Sequence, residues 1–310
     1  MIDQAARLRQ LVNNNEEEQQ PIANVITEEK QGPVARVITV TSGKGGVGKS
    51  SLSVNLALQL QSSGKRVVIL DADFGLANVE IMMGIRPKYT LADLMFKGKN
   101  LRDVVTEGPK GVGFISGGSG IQELSQLTRE QIVYLTEKLV ELDEIADVII
   151  IDTGAGISDM VLEFLTSSTE ILLVVTPEPT SITDAYALLK ALNNKAEFSK
   201  EHTVIKMVAN KAANEQDGRN LYEKMNAVIR KFLSIELEFL GTIPKDDLQS
   251  LAIIQQAPIS ISNPNAPSAR GFAAVAKKLN DTQEQQEKGK KAGITEWFSG
   301  LMRNRNRSRR

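Results

Sequence analysis

The chain has 310 residues, 41% hydrophobic and 24% charged, a balance that supports a large buried core and excludes wholesale disorder. It contains no Cys and a single His, His202, which excludes disulfides, thiolate metal centres and thiol nucleophiles and removes His-based catalytic dyads from almost every position. The formal charge of −1 hides an asymmetry: Lys288, Lys290, Lys291, Arg303, Arg305, Arg307, Arg309 and Arg310 stand against Glu296 alone, giving this end +7 and the rest −8.

Residues 1–12 (MIDQAARLRQLV) are good helix formers with Ile2, Ala5, Leu8 and Val12 near one face, so a short helix is predicted. Residues 13–33 are polar and acidic, close on Gly32-Pro33 and read as a tether. From 34 to 280, β-branched runs alternate with helical stretches, the pattern of an α/β fold with a doubly wound, mostly parallel sheet. Strands are predicted at 37–41, 67–71, 148–152, 171–176, 203–209 and 237–241. Thr128-Arg129-Glu130-Gln131 reads as a capping box, with Ile132, Leu135, Leu139 and Leu142 at helical spacing behind it.

Residues 281–289 read as a second tether and 290–310 as a basic amphipathic tail. There Ile294, Trp297, Phe298, Leu301 and Met302 fall at i, i+3, i+4, i+7 and i+8, forming one apolar stripe. Basic flanks around Trp and Phe suit a helix that folds on anionic membrane lipid, although the same stripe also suits packing on the chain's own domain. No apolar run approaches the roughly 18 residues that cross a bilayer, and no signal-peptide core follows Met1. A cytoplasmic protein, reversibly at the inner face of the membrane, is expected.

Gly43-Lys44-Gly45-Gly46-Val47-Gly48-Lys49-Ser50 satisfies G-x-x-x-x-G-K-[ST] between a predicted strand and a predicted helix, the context the motif requires. Its glycines let backbone N–H groups turn around phosphate oxygens at a helix N-terminus. Lys49 is expected at the β- and γ-phosphates, Ser50 on Mg2+, and Ser51 within the same cradle. Asn210-Lys211 is followed by Ala213 where a guanine-selecting carboxylate is needed, which favours ATP. His202 has no nearby ligand partner and reads as a surface residue.

Lys44 within KGGVGKS resembles the deviant Walker A signature of the MinD/ParA family of P-loop ATPases. Leu70-Asp71-Ala72-Asp73-Phe74-Gly75-Leu76-Ala77-Asn78 and Ile149-Ile150-Ile151-Asp152-Thr153-Gly154-Ala155-Gly156 resemble its two switches. The resemblance implies an ATP-sandwich homodimer in which Lys44 reaches the partner's phosphates, Asp73 positions the attacking water and Asp152 holds the magnesium shell. Asn210, Pro244 and Asp246 resemble the adenine pocket. Asp3-Gln4-Ala5-Ala6-Arg7-Leu8-Arg9 matches DQAxxLR of the FlhG (YlxH/FleN) flagellar-number regulators. It implies that Asp3, Gln4, Ala5, Leu8 and Arg9 dock on the SRP-type GTPase FlhF and stimulate its GTP hydrolysis, with flagellar switch-complex (C-ring) proteins as further partners. The alternatives are a MinD-type division-site ATPase and a ParA-like partitioning ATPase. The acidic body gives no reason to expect sequence-specific nucleic-acid binding, and iron–sulfur relatives require cysteines that this chain lacks.

Overall fold

The apolar runs of the sequence form strands buried on both faces. The computed structural model describes residues 34–73, 78–118 and 129–286, together with 293, 294 and 297. The expectations for residues 1–33, 74–77, Thr128, Phe298, Leu301 and Met302 lie outside the described residues. The chain divides into two units, Met1–Pro33 and Val34–Arg310, and the sheet belongs to the second.

In chain order the elements are β1 (Arg36–Thr41), α1 (Lys49–Ser62), β2 (Val67–Ala72), α2 (Asn78–Met83), α3 (Leu91–Phe96), α4 (Leu101–Val104), β3 (Thr106–Glu107), β4 (Gly113–Ile115), α5 (Arg129–Leu139), α6 (Leu142–Ile145), β5 (Val148–Thr153), α7 (Asp159–Thr166), β6 (Glu170–Val175), α8 (Pro179–Asn193), β7 (Val204–Ala212), α9 (Glu215–Leu233), β8 (Leu237–Pro244), α10 (Asp247–Ile254), α11 (Ile259–Ser262) and α12 (Pro267–Gln286). The sheet order is β3-β4-β2-β5-β1-β6-β7-β8. Among the described residues only β3 and β4 pair antiparallel; the other neighbours run parallel. Each predicted run forms a strand. Leu142 starts α6 and does not continue α5.

Successive residues of β6 show how both faces are filled. Leu172 and Val174 join Ile38, Val40, Leu56 and Phe272 on one side. Ile171, Leu173 and Val175 join Leu188, Met207 and Ile229 on the other, the alternation of a fully covered sheet. Helix α1 packs against α12 and several strands, which explains why Leu52, Val54, Leu56, Leu58 and Leu60, spread around its circumference, are all buried. It stops at Gly64, whose φ of 91° is left-handed.

Helix α12 extends to Gln286, so residues 281–286, expected in the second tether, are helical. Its buried face includes Phe272, Val275, Ala276 and Leu279; beyond it, the helix-forming Gln and Glu residues continue the helix. Among the described residues no helix is long and apolar enough to cross a membrane.

Ile294 and Trp297, expected in a lipid-facing stripe, are packed against the domain here, 0% and 2% exposed. The indole packs on Phe164 of α7 with ring centroids 5.2 Å apart, and its Nε1 donates to Ser168 Oγ at 2.9 Å. The domain therefore offers apolar cover and an acceptor for the N–H, which the lipid interior lacks. Gly293 permits this approach, since a Cβ there would collide with Val34.

At the N-terminal ends of the strands, Glu170 accepts from Arg36 Nε and Nη2, both at 2.7 Å, and from Lys206 Nζ at 2.8 Å. Arg36 also donates to the Leu279 carbonyl, tying in α12. Burial opposes ionisation of Glu170, but Arg36 and Lys206 together hold its carboxyl below the ordinary range.

Candidate nucleotide site

The other end of β1 leads into the glycine-rich loop. Gly46 and Gly48 have φ of 76° and 94°, a conformation that disfavours a side chain. A Cβ on Gly43 would collide with the Asp184 backbone, and one on Gly48 with the Asn210 amide. The loop delivers Lys49 to the first position of α1, where Lys49, Ser50 and Ser51 are all buried. Lys49 Nζ lies 3.3 Å from Asp152 Oδ1 at the end of β5, and Ser53 Oγ donates to the same oxygen at 3.0 Å. Asp152 Oδ2 is buried without a protein partner. An unpaired buried carboxylate oxygen is costly, so a cation with bound water fits it. Among the described residues no group of three or more His, Cys, Asp or Glu could hold a metal. A Mg2+ held by nucleotide phosphates, water and a single hydroxyl or carboxylate does not need such a group.

These groups open into a cleft of about 1100 Å³ lined on its phosphate side by the loop, Asp73, Asn78 and Gly154. The two switches meet there: a Cβ on Gly154 would lie 3.6 Å from Asp73 Oδ1. Asp71, two residues before Asp73 and paired with Asp152 across β2 and β5, accepts the Val79 N–H of α2. Burial, reinforced by the charge of Asp152, pushes its carboxyl up to about 8. Lys44 Nζ bonds Glu178 Oε2 and Thr180 Oγ1, each at 2.8 Å. The signature lysine is thus held on the start of α8.

Asn210, Pro244 and Asp246 line the same cleft. Asn210 Nδ2 donates to the Val47 carbonyl at 2.7 Å and its Oδ1 accepts from Lys211 N, so both ends of the amide are engaged by backbone. Asp246 caps α10 by accepting from Leu248 N, and also accepts from Ser268 N and Oγ. Burial opposes this, but the three bonds keep its carboxyl below its ordinary value. Asp246, expected in the adenine pocket, thus lines the cleft and also caps α10. Sequence reasoning missed two residues here. Lys211, left-handed at φ 55°, donates from Nζ to the Gly46 carbonyl at 2.8 Å; its signal was the Asn-Lys pair. Gln249, with Nε2 2.5 Å from Ser51 Oγ, had none. His202 is exposed.

Comparison with known proteins gives the family. The family ParA, described as NUBPL iron-transfer P-loop NTPase, matches residues 33–280. The antiactivator FleN of Pseudomonas aeruginosa is 43% identical over 245 residues, 78% of this chain and 85% of that protein. The chain belongs to the FleN/YlxH group of the MinD/ParA family. The flagellum site-determining protein YlxH of Helicobacter pylori is 33% identical over 252 residues, covering 80% of each chain. In fold, the septum site-determining protein MinD from Pyrococcus horikoshii, complexed with Mg-ADP, has a TM-score of 0.66 at 23% identity, covering 83% of this chain and 99% of that one. This FleN/YlxH-type chain has no cysteine, so thiolate ligation of iron is not open to it.

Proposed function

We propose that the chain is a Mg-ATP-dependent ATPase that dimerises on ATP, associates reversibly with the inner face of the cell membrane, and regulates flagellar number and placement. The observation that carries the ATPase reading is the buried Lys49–Asp152 pair, with one Asp152 oxygen left for a hydrated cation. The flagellar reading is supported by the likeness to the antiactivator FleN and the flagellum site-determining YlxH.

When bound, Mg2+ supplies charge neutralisation on the phosphates. Ser50 would hold it directly and Asp152 through water, while Lys49 engages the β- and γ-phosphates. Asp73, beside Gly154, would orient the attacking water. Lys44 would exchange Glu178 and Thr180 for the phosphates of a partner subunit; an exposed pair of this kind is weak and easily given up. A loose phosphoryl-transfer transition state needs this positioning and charge more than a covalent nucleophile.

The basic tail of residues 290–310 would bind anionic lipid after Ile294 and Trp297 leave their places on the domain. Two tails on one dimer bind far more tightly than one, so ATP would control attachment by avidity. Asp3, Gln4, Ala5, Leu8 and Arg9 would dock on the SRP-type GTPase FlhF, with switch-complex proteins as further partners. The test has two arms: ATP hydrolysis by the full chain with and without anionic vesicles, and GTP hydrolysis by FlhF with a peptide of residues 1–20. Turnover in the first and stimulation in the second are expected. Absence of turnover removes the ATPase reading, and absence of both stimulation and full-length binding removes the FlhF reading.

A further inference from the structure

We infer that Gln249 is a nucleoside-selecting residue, its side-chain carbonyl accepting a hydrogen bond from the nucleoside of the bound nucleotide; this rests on the reading of the cleft as an ATP site. Gln249 lies on α10 and lines the same cleft as the glycine-rich loop. Its Nε2 donates to Ser51 Oγ, and its Oε1 is buried with no hydrogen-bond partner.

The phosphate chemistry fixes which way this amide points. A phosphate oxygen only accepts, so a Ser51 hydroxyl facing it uses its one O–H there, and the Ser51 oxygen can then only accept. That requirement turns Nε2 of Gln249 toward Ser51 and leaves Oε1 for the rest of the nucleotide. The residues expected on the base side each have protein partners: the Asn210 amide bonds backbone at both ends, and Asp246 carries three bonds from Leu248 and Ser268. Gln249 differs in having one polar atom with none.

The nucleoside has two sources of a donor, the adenine amino group and the ribose hydroxyls. Guanine presents a carbonyl where adenine has the amine, so a carbonyl reading that position opposes GTP. A carbonyl reading the sugar instead opposes a deoxyribose nucleotide.

The test titrates the full chain with ATP, GTP, 2′-deoxyATP and 3′-deoxyATP, in wild type and in Gln249→Leu, with Gln249→Met as a second variant should the first fail to fold in a nucleotide-free thermal melt. ATP affinity is expected to weaken roughly five- to tenfold, the loss of one neutral hydrogen bond, while the nucleotide that lacks the relevant donor changes little. A fall in the ATP-to-GTP preference identifies the amine; a fall in the preference for ATP over either deoxy form identifies the ribose. Uniform weakening of all four nucleotides by the Leu or Met variant, or no weakening, overturns the inference and leaves the ATP site standing. If wild type binds none of the four, the ATP reading itself fails and the inference with it.

Discussion

Replacing Trp297 with Ala removes a ring that is 2% exposed, packs on Phe164 and donates to Ser168. Truncating a core Trp costs about 3–5 kcal/mol. The lower end is expected, because the Ser168 hydroxyl keeps its bonds to Thr39 and to the Phe164 carbonyl and is not stranded. There is also a ceiling. Once the segment carrying Trp297 separates from the domain, no further stability is lost, so the measured change equals the smaller of the truncation cost and the docking free energy. For a domain of this size, a loss of about 3 kcal/mol lowers Tm by roughly 6–12 °C. Thermal unfolding and native-state hydrogen exchange measure the two quantities separately. A lower Tm is expected, with faster exchange around Phe164 and Ser168. A Tm within roughly 2 °C of wild type, together with unchanged exchange at those positions, would refute the packing argument.

Glu170→Ala should destabilise by about 3–5 kcal/mol, since it leaves Arg36 and Lys206 buried without their shared carboxylate; urea unfolding checks this. The folded-state pKa of Glu170 is depressed, so its contribution is complete above the ordinary carboxylate range and is lost as pH falls through the folded value. The stability gap between wild type and Glu170→Ala should therefore narrow in strong acid, and a constant gap would contradict the assignment. Phe164→Ala, which removes the ring beneath Trp297, should raise co-sedimentation with anionic vesicles in the absence of ATP, whereas Trp297→Ala should lower it. Equal binding by both variants would mean that the membrane contact lies elsewhere.

The central strands and the phosphate loop were legible because their signals are local. An apolar run such as Val148–Ile151 has few alternatives once it is flanked by polar turns, and the loop glycines at 46 and 48 sit at the left-handed positions that need them. Strands β3 and β4 were not legible, because two and three residues are too few to show a period. Residues 281–286 read as a tether because their composition is polar, yet a helix already nucleated by Phe272 and Leu279 continues through such residues at little cost. The apolar stripe of the tail is the same whether it meets lipid or protein, so the docking of Trp297 depended on an acceptor at Ser168, more than 100 residues away in sequence. Glu170 gave no sign of pairing with Arg36 and Lys206, whose proximity is set by the order of β1, β6 and β7.

The central claim is that Asp73 and Lys44 act on ATP within a dimer, and the most direct measurement is the mass of the Asp73→Ala protein with Mg-ATP by light scattering, alongside its ATP turnover. A persistent dimer with turnover lost is expected, and, for Lys44→Ala as the control, retained ATP binding without dimer-dependent turnover. An Asp73→Ala protein that hydrolyses ATP at the wild-type rate, or that stays monomeric with ATP bound, would contradict it.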